Sequence, residues 1–229
     1  MRFSLLLADV DNTLFNFHSA ERAAFAAVSA RFSLPPGEAS FALYQEINKR
    51  LWEQLDRGET TSRLLRVERF RQFLTALSLP EQDARAMSDS YVQKLGEQRL
   101  PMPGARAFLR RVSAAMPVCL VTNGFGDVQR PRLQGSPLRR YISRMYVSEE
   151  YPHAKPHPDM LLRAMKRYRV TDPARAVMIG DNEGADILAA VSAGVQSVLY
   201  TRGRTPQTPS RATFTADTLS AAADWILRP

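Results

Sequence analysis

Cysteine is almost missing from this 229-residue chain, and Cys119 stands alone inside an apolar run. A single thiol excludes an internal disulfide and fits a reducing compartment. Histidine is scarce as well, and the spacing of His18, His153 and His157 matches no common zinc pattern. No stretch approaches the roughly 20 apolar residues of a membrane-spanning helix. The N-terminal run through Leu5, Leu6, Leu7 and Ala8 is cut by Asp9, and no small-residue cleavage site follows, so it does not read as a signal peptide. These absences predict a cytoplasmic protein with no membrane partner. Internal repeats and low-complexity segments are also lacking.

What is present is an ordinary globular mixture, 45% hydrophobic and 24% charged, long enough for one good core and a smaller insert. The formal net charge is +8, yet lysine occurs only at Lys49, Lys94, Lys155 and Lys166. The arginines are scattered, and no basic stripe interleaves with aromatics as a nucleic-acid surface would. The basic balance therefore predicts a solvated surface or attraction of a small anionic substrate, with no nucleic acid as partner.

Short apolar runs over Phe3–Ala8, Val118–Val121, Met145–Val147, Ala176–Ile179 and Ser197–Tyr200 alternate little between apolar and polar. That is the mark of strands buried on both faces of a parallel sheet. Helical patterns at about 104–115, 125–134, 158–169 and 184–193 separate them. The alternation predicts an α/β fold with a Rossmann-like, doubly wound parallel sheet. A loop over Gly203–Ser210, a short strand near Ala212–Phe214 and a helix over Leu219–Leu227 are expected to finish the domain. One region breaks the pattern. Residues 16–100 read as all helix, near 18–31, 37–56, 60–77 and 80–98. The expected organisation is thus a catalytic core of 1–15 and 101–229 with a helical cap of 16–100 inserted after the first strand. Such an insert is placed to act as a lid over the carboxyl end of the sheet, where ligands bind in open α/β folds.

Four constellations fall at or just beyond predicted strand ends. Asp9 and Asp11 follow the first strand two residues apart; they can share a cation, one acting as a nucleophile and the other as a proton carrier, or form a polar turn. Thr122-Asn123-Gly124 can hold a phosphoryl oxygen, and is also a common turn. Lys155, stiffened by prolines, can neutralise a transferring phosphoryl group, or be a solvated loop lysine. Asp181 and Asp186 in Gly180-Asp181-Asn182-Glu183-Gly184-Ala185-Asp186 can serve a metal site, or Asp181 can cap a helix. Magnesium suits a pair of carboxylates with phosphate and water oxygens.

In this order, Asp-x-Asp-x-Thr, Thr-Asn-Gly, Lys-Pro and Gly-Asp-x-x-x-x-Asp, the chain resembles the haloacid dehalogenase superfamily over essentially its whole length. The resemblance implies a Rossmann-like core with a helical cap, Asp9 as nucleophile and Asp11 as general acid/base. It further implies Mg2+ held by Asp9, the Asp11 carbonyl and Asp181. Thr122 and the Asn123 backbone would hold phosphate, Lys155 would bridge nucleophile and phosphoryl group, and Asp186 would support the site. Family dehalogenases lack an acid where Asp11 stands, and the transport ATPases carry threonine there, so Asp11 argues for phosphoryl transfer to water.

Gln45–Trp52, Gly58–Ser62, Phe15-Asn16-Phe17, Thr122–Phe125 and Ser148-Glu149-Glu150 resemble the bacterial YjjG-type pyrimidine 5'-nucleotidase branch. The implied substrate is a small phosphate ester, a nucleoside 5'-monophosphate with a pyrimidine or non-standard base. Phe15, Asn48, Lys49 and Trp52 are the candidates for contacting it, Trp52 also reading as an ordinary helical core residue. The chain departs from that branch at Tyr151-Pro152-His153-Ala154 and at Pro131, which is expected to interrupt its helix. The alternatives are a sugar-phosphate or phosphoglycolate phosphatase on the same fold and a catalytically silent binding module; a monomer or homodimer is expected.

Overall fold

The computed structural model describes residues 2–205 and 209–229. Positions 206–208 of the expected Gly203–Ser210 loop lie outside the described residues. Two units emerge: Met1–Phe17, Arg99–Gly126 and Leu133–Pro229 form one, and His18–Gln98 with Asp127–Arg132 form the other.

The first unit is built on parallel strands β1 (Leu5–Ala8), β2 (Val118–Thr122), β3 (Arg144–Val147), β4 (Ala176–Gly180), β5 (Gln196–Tyr200) and β6 (Phe214–Ala216). They lie in the order β3-β2-β1-β4-β5-β6, so the winding reverses between β1 and β4. The register sets Ala8 beside Leu120 on one side and Ile179 on the other. Successive side chains of a strand point to opposite faces, and the core obeys this. Leu6, Ala8, Val118, Leu120, Val177 and Ile179 pack on one face with Phe108 and Leu109 of α5 (Ala105–Ser113) and Ala222 and Ala223 of α9 (Leu219–Ile226). Leu5, Leu7, Cys119, Val121 and Met178 pack on the other with Met160, Leu161 and Ala164 of α7 (Asp159–Arg167) and Ala189 and Ala190 of α8 (Leu188–Ser192). Helices on both faces explain why these strands carry no polar alternation. Burial also lifts the Cys119 thiol to about 11, leaving it inert.

β6 begins at Phe214, two residues after the expected start, because Ser197 and Thr213 first pair backbone with hydroxyl. The chain leaves and re-enters this unit through adjacent segments, with Asn16 N–H bonded to Leu100 O and Met102 N–H to Leu14 O.

The second unit holds α2 (Glu38–Asp56), α3 (Ser62–Ala76) and α4 (Ala84–Gly96), with nearly all of α1 (Phe17–Arg31). A cluster of Phe25, Phe41, Tyr44, Phe70, Phe73 and Tyr91 fills it, Phe25 and Tyr44 with centroids 4.8 Å apart and Phe25 edge-on to Phe73 at 5.5 Å. The expected helix at 80–98 is a 3-10 turn, Glu81–Asp83, followed by α4, since Pro80 holds an extended conformation. Pro131 does not interrupt its helix: α6 runs unbroken over Gly126–Gln134. Only one N–H, that toward the Asp127 carbonyl, is lost there. Arg66 holds the Asp127 carboxylate at 2.5 Å, and the buried Arg132 donates to Gln98 O, so the segment is fixed on both sides. No helix among the described residues is long and apolar enough to cross a membrane.

Candidate active site

Because the strands are parallel, residues that follow β1, β2 and β4 share one edge of the sheet. Asp9 follows β1 and Asp181 follows β4, the two strands where the winding reverses; an open sheet leaves a crevice there. Asn12 adopts a left-handed backbone (φ 59°) and its side chain accepts the Phe17 N–H, turning the chain directly after Asp11.

Lys155 lies at the centre, 3% exposed. Its ammonium donates to Asp9 Oδ1 at 2.8 Å, Val121 O at 2.7 Å and Asp186 Oδ1 at 2.6 Å. All three donors of the lysine are therefore placed. Asn123 anchors the lysine backbone in both directions: its Nδ2 donates to Lys155 O and its Oδ1 accepts the Lys155 N–H. Asp9 Oδ2 accepts from Thr13 Oγ1 at 3.0 Å. Thr122, buried at the end of β2, accepts the Gly124 N–H on its hydroxyl.

Asp186 reaches Lys155 because a π-turn over Glu183–Ile187 precedes α8, started by Asn182 capping the Ala185 N–H. Its second oxygen accepts the Asn182 N–H. Gly180 makes room for it: a Cβ there would stand 2.2 Å from Asp186 Oδ2.

The charges are strongly coupled. Burial and then the Asp186 carboxylate hold Asp9 well above the usual carboxylate range, against the pull of Lys155. Burial and Asp186 push Asp181 up to about 6, opposed by Arg202 and Lys155. Burial works against the Lys155 ammonium, but Asp186 and Asp9 outweigh it and raise its pKa above that of a free lysine.

Carboxylate oxygens of Asp9, Asp181 and Asp186 lie within 4.8 Å of one another. An all-oxygen cluster of mutually repelling carboxylates suits a hard divalent cation. Asp9 and Asp186 each accept a hydrogen bond at both oxygens, whereas Asp181 is engaged at Oδ2 by Arg202. His153 and His157 stack at 4.0 Å and belong to no such cluster among the described residues.

The expected cap contacts are not gathered in the same way. Asn48 is 7% exposed and works inside its own unit, donating to Glu21 at 3.2 Å and accepting from Arg69. Lys49 is 80% exposed beside Glu53, and Trp52 is half-buried. Phe15, expected to line a pocket, is wholly buried in the core with Val10 and Leu14, because the turn after Asp11 folds it under the sheet edge.

Sequence reasoning missed Arg202, which pairs with Asp181 at 3.0 Å. It stands two residues past β5, a strand-end position that could have flagged it. Glu149 and Gly180 stood in sequence motifs without these roles: Glu149 accepts the Gly126 N–H at the start of α6, and Gly180 makes room for Asp186.

A buried carboxylate, a buried lysine bonded to it and a second strand-end carboxylate thus meet at the reversal point of a doubly wound sheet. The family model for haloacid dehalogenase-like hydrolases matches residues 3–194, and the chain belongs to that family. Among curated relatives, the pyrimidine 5'-nucleotidase YjjG of Escherichia coli is 29% identical over 198 residues, covering 85% of this chain and 84% of YjjG. The phosphoserine phosphatase of Thermus thermophilus is 30% identical over 230 residues, covering 90% of this chain and 91% of the relative. A magnesium-bound structure of the HAD-hydrolase YfnB from Bacillus subtilis superimposes with a TM-score of 0.90 at 25% identity, over the whole of both chains.

Proposed function

We propose that this chain is a magnesium-dependent phosphomonoesterase acting through an aspartyl-phosphate, with nucleoside 5'-monophosphates of pyrimidine or non-standard bases as substrates. The observation that carries the reading is the Lys155 ammonium, held 2.8 Å from Asp9 and 2.6 Å from Asp186.

In this reading an Asp9 carboxylate oxygen attacks phosphorus, and the ester oxygen leaves with a proton from Asp11. Asp11 then takes a proton from the water that attacks the aspartyl-phosphate, releasing phosphate and restoring Asp9. Lys155 offsets negative charge on Asp9 and on the phosphoryl oxygens, while Thr122 and the Asn123 backbone hold the phosphoryl group. Asp9, Asp181 and the Asp11 carbonyl would hold Mg2+, which supplies charge neutralisation on the phosphate oxygens. Asp186 fixes Lys155 from the far side. The second acid at Asp11 favours phosphate esters over haloacids. A cytoplasmic location accords with nucleotides as substrates.

Support for the nucleotide substrate is the likeness to YjjG; a phosphoserine phosphatase of similar identity keeps a small non-nucleotide phosphate ester as the second reading. Phosphate release with magnesium, across nucleoside 5'-monophosphates, phosphoserine, sugar phosphates and phosphoglycolate, separates them. Pyrimidine monophosphates are expected to lead by about tenfold, about 1.4 kcal/mol of transition-state preference, and Asp9→Asn to release nothing. Turnover by Asp9→Asn would defeat the mechanism; a lead for phosphoserine would defeat only the nucleotide assignment.

A further inference from the structure

On the flank of the core unit, along edge strand β3 and α7, lies a concavity of about 530 Å³. Arg144, Arg163, Lys166, Arg167 and Arg169 line it together with Tyr146 and Tyr151. Arg144 opens β3, so the concavity reaches the amino end of the sheet, whereas Asp9 follows the carboxyl end of β1.

The charge there is largely uncompensated. Arg163 pairs with Asp159 at 2.7 Å, but Arg144, Lys166, Arg167 and Arg169 meet no acidic partner among the described residues. Lys166 and Arg167 close α7 and could simply answer its dipole. Arg144 comes from a strand and Arg163 from mid-helix, so the dipole does not explain the gathering. Arg169 is more telling. It occupies a left-handed position (φ 57°) in a Schellman-type end of α7, with Val170 N–H bonded to Met165 O. Glycine is the usual residue there.

The walls are aromatic. Tyr146 and Tyr151 have ring centroids 5.8 Å apart, with the Arg144 guanidinium 5.6 Å from the first ring and that of Arg163 5.4 Å from the second. The Tyr146 hydroxyl has no hydrogen-bond partner among the described residues. Cations that repel one another around a concave surface attract a multiply charged anion; Tyr146 is buried at 3% exposure and backs the half-buried Tyr151, whose ring is the one open to a planar partner.

We propose that this concavity is a second binding site, separate from the Asp9 centre, that takes a nucleoside di- or triphosphate: phosphates on the cations, base against Tyr151. The proposal does not depend on the substrate of the Asp9 centre.

Calorimetric titration of the full chain with ATP, inorganic triphosphate and adenosine, in chelator to keep metal from the Asp9 centre, tests it. ATP is expected to bind tightest and to weaken with salt, triphosphate to bind less tightly and adenosine not to bind. Arg144→Glu with Arg167→Glu should weaken ATP by at least about tenfold without changing phosphate release, and Tyr151→Ala should bring ATP down to the level of triphosphate. Arg169→Gly guards against misfolding. It restores the usual residue at the turn, so its melting temperature should rise while ATP affinity falls; a lower melting temperature with unchanged ATP affinity would make Arg169 structural and overturn the proposal. Unchanged ATP affinity in the charge-reversal variant would also overturn it. So would a single-stranded oligonucleotide that binds more tightly than ATP and is lost in the same variant.

Discussion

Lys155 has three donors and three acceptors, and each acceptor comes from a different part of the chain. That geometry leaves the ammonium no freedom to rotate away from Asp9. It depends in turn on Asp186, whose approach requires the missing side chain of Gly180. Gly180→Ala should therefore displace Asp186, release one side of Lys155 and lower kcat by about 10- to 100-fold, the usual cost of ångström-scale misplacement. Steady-state phosphate release with a circular dichroism check of folding measures this; undiminished kcat in a folded variant would mean that Asp186 has no positioning role. Asp9, Asp11 and Asp181 stand just past a strand, Lys155 in the loop after β3 and Asp186 in the turn after β4, and each could be singled out in the sequence because it lies in a short motif. Arg202 was not read, and Gly180 stood in its motif without a role, because the importance of each is a matter of what approaches it from elsewhere in the chain.

At the scale of elements, α2 carries Asn48, Lys49 and Trp52 within five positions, yet the structure treats them differently. Asn48 belongs to a buried polar network with Glu21 and Arg69. Asn48→Leu would leave buried charged groups short of a partner and should cost about 1–3 kcal/mol of stability, read by urea unfolding, with little change in KM for a protein that stays folded. Trp52→Ala should do the reverse. If its half-buried ring meets a nucleobase, KM for the preferred monophosphate rises by about tenfold, within the 1–3 kcal/mol of base stacking, while unfolding shifts little. A large loss of stability with unchanged KM would return Trp52 to the core. Helical periodicity could place these residues on one helix, but burial of Asn48 depends on α1 and α3 meeting it. In the same way Pro131 looked like a helix breaker, since local rules price only the lost N–H. Arg66 and Arg132, which hold the segment, are distant in sequence or engage distant groups.

For the whole molecule, the acidic cluster couples folding to pH. Asp181 has a folded pKa of about 6 against about 3.9 for an unfolded aspartate. Between those values the folded chain keeps a proton that the unfolded chain has released. Stability of the metal-free protein from this group is thus present at low pH and lost as pH rises through about 6. Asp9, also raised, acts in the same direction. Magnesium would take the deprotonated carboxylates, so its stabilisation should grow across the same window. Thermal melts with and without magnesium at about pH 5 and about pH 7 should show the larger gain in melting temperature at the higher pH. An equal gain at both would separate the metal from these acids. The sheet order explains why the cluster exists: reversal between β1 and β4 sets Asp9 and Asp181 at the ends of neighbouring strands, although 167 residues lie between the last residue of β1 and the first of β4.

By itself the sequence determined the α/β class, the alternation of elements and the residues at the strand ends. Those are local properties: side-chain period, turn chemistry and short motifs. Only the tertiary structure decided that Lys155 has three acceptors, that Arg202 faces Asp181, that Phe15 lies in the core, and that arginines scattered along the chain meet beside two tyrosines. Each of these depends on segments far apart in the chain coming within a few ångströms, and no local pattern of residues encodes that distance.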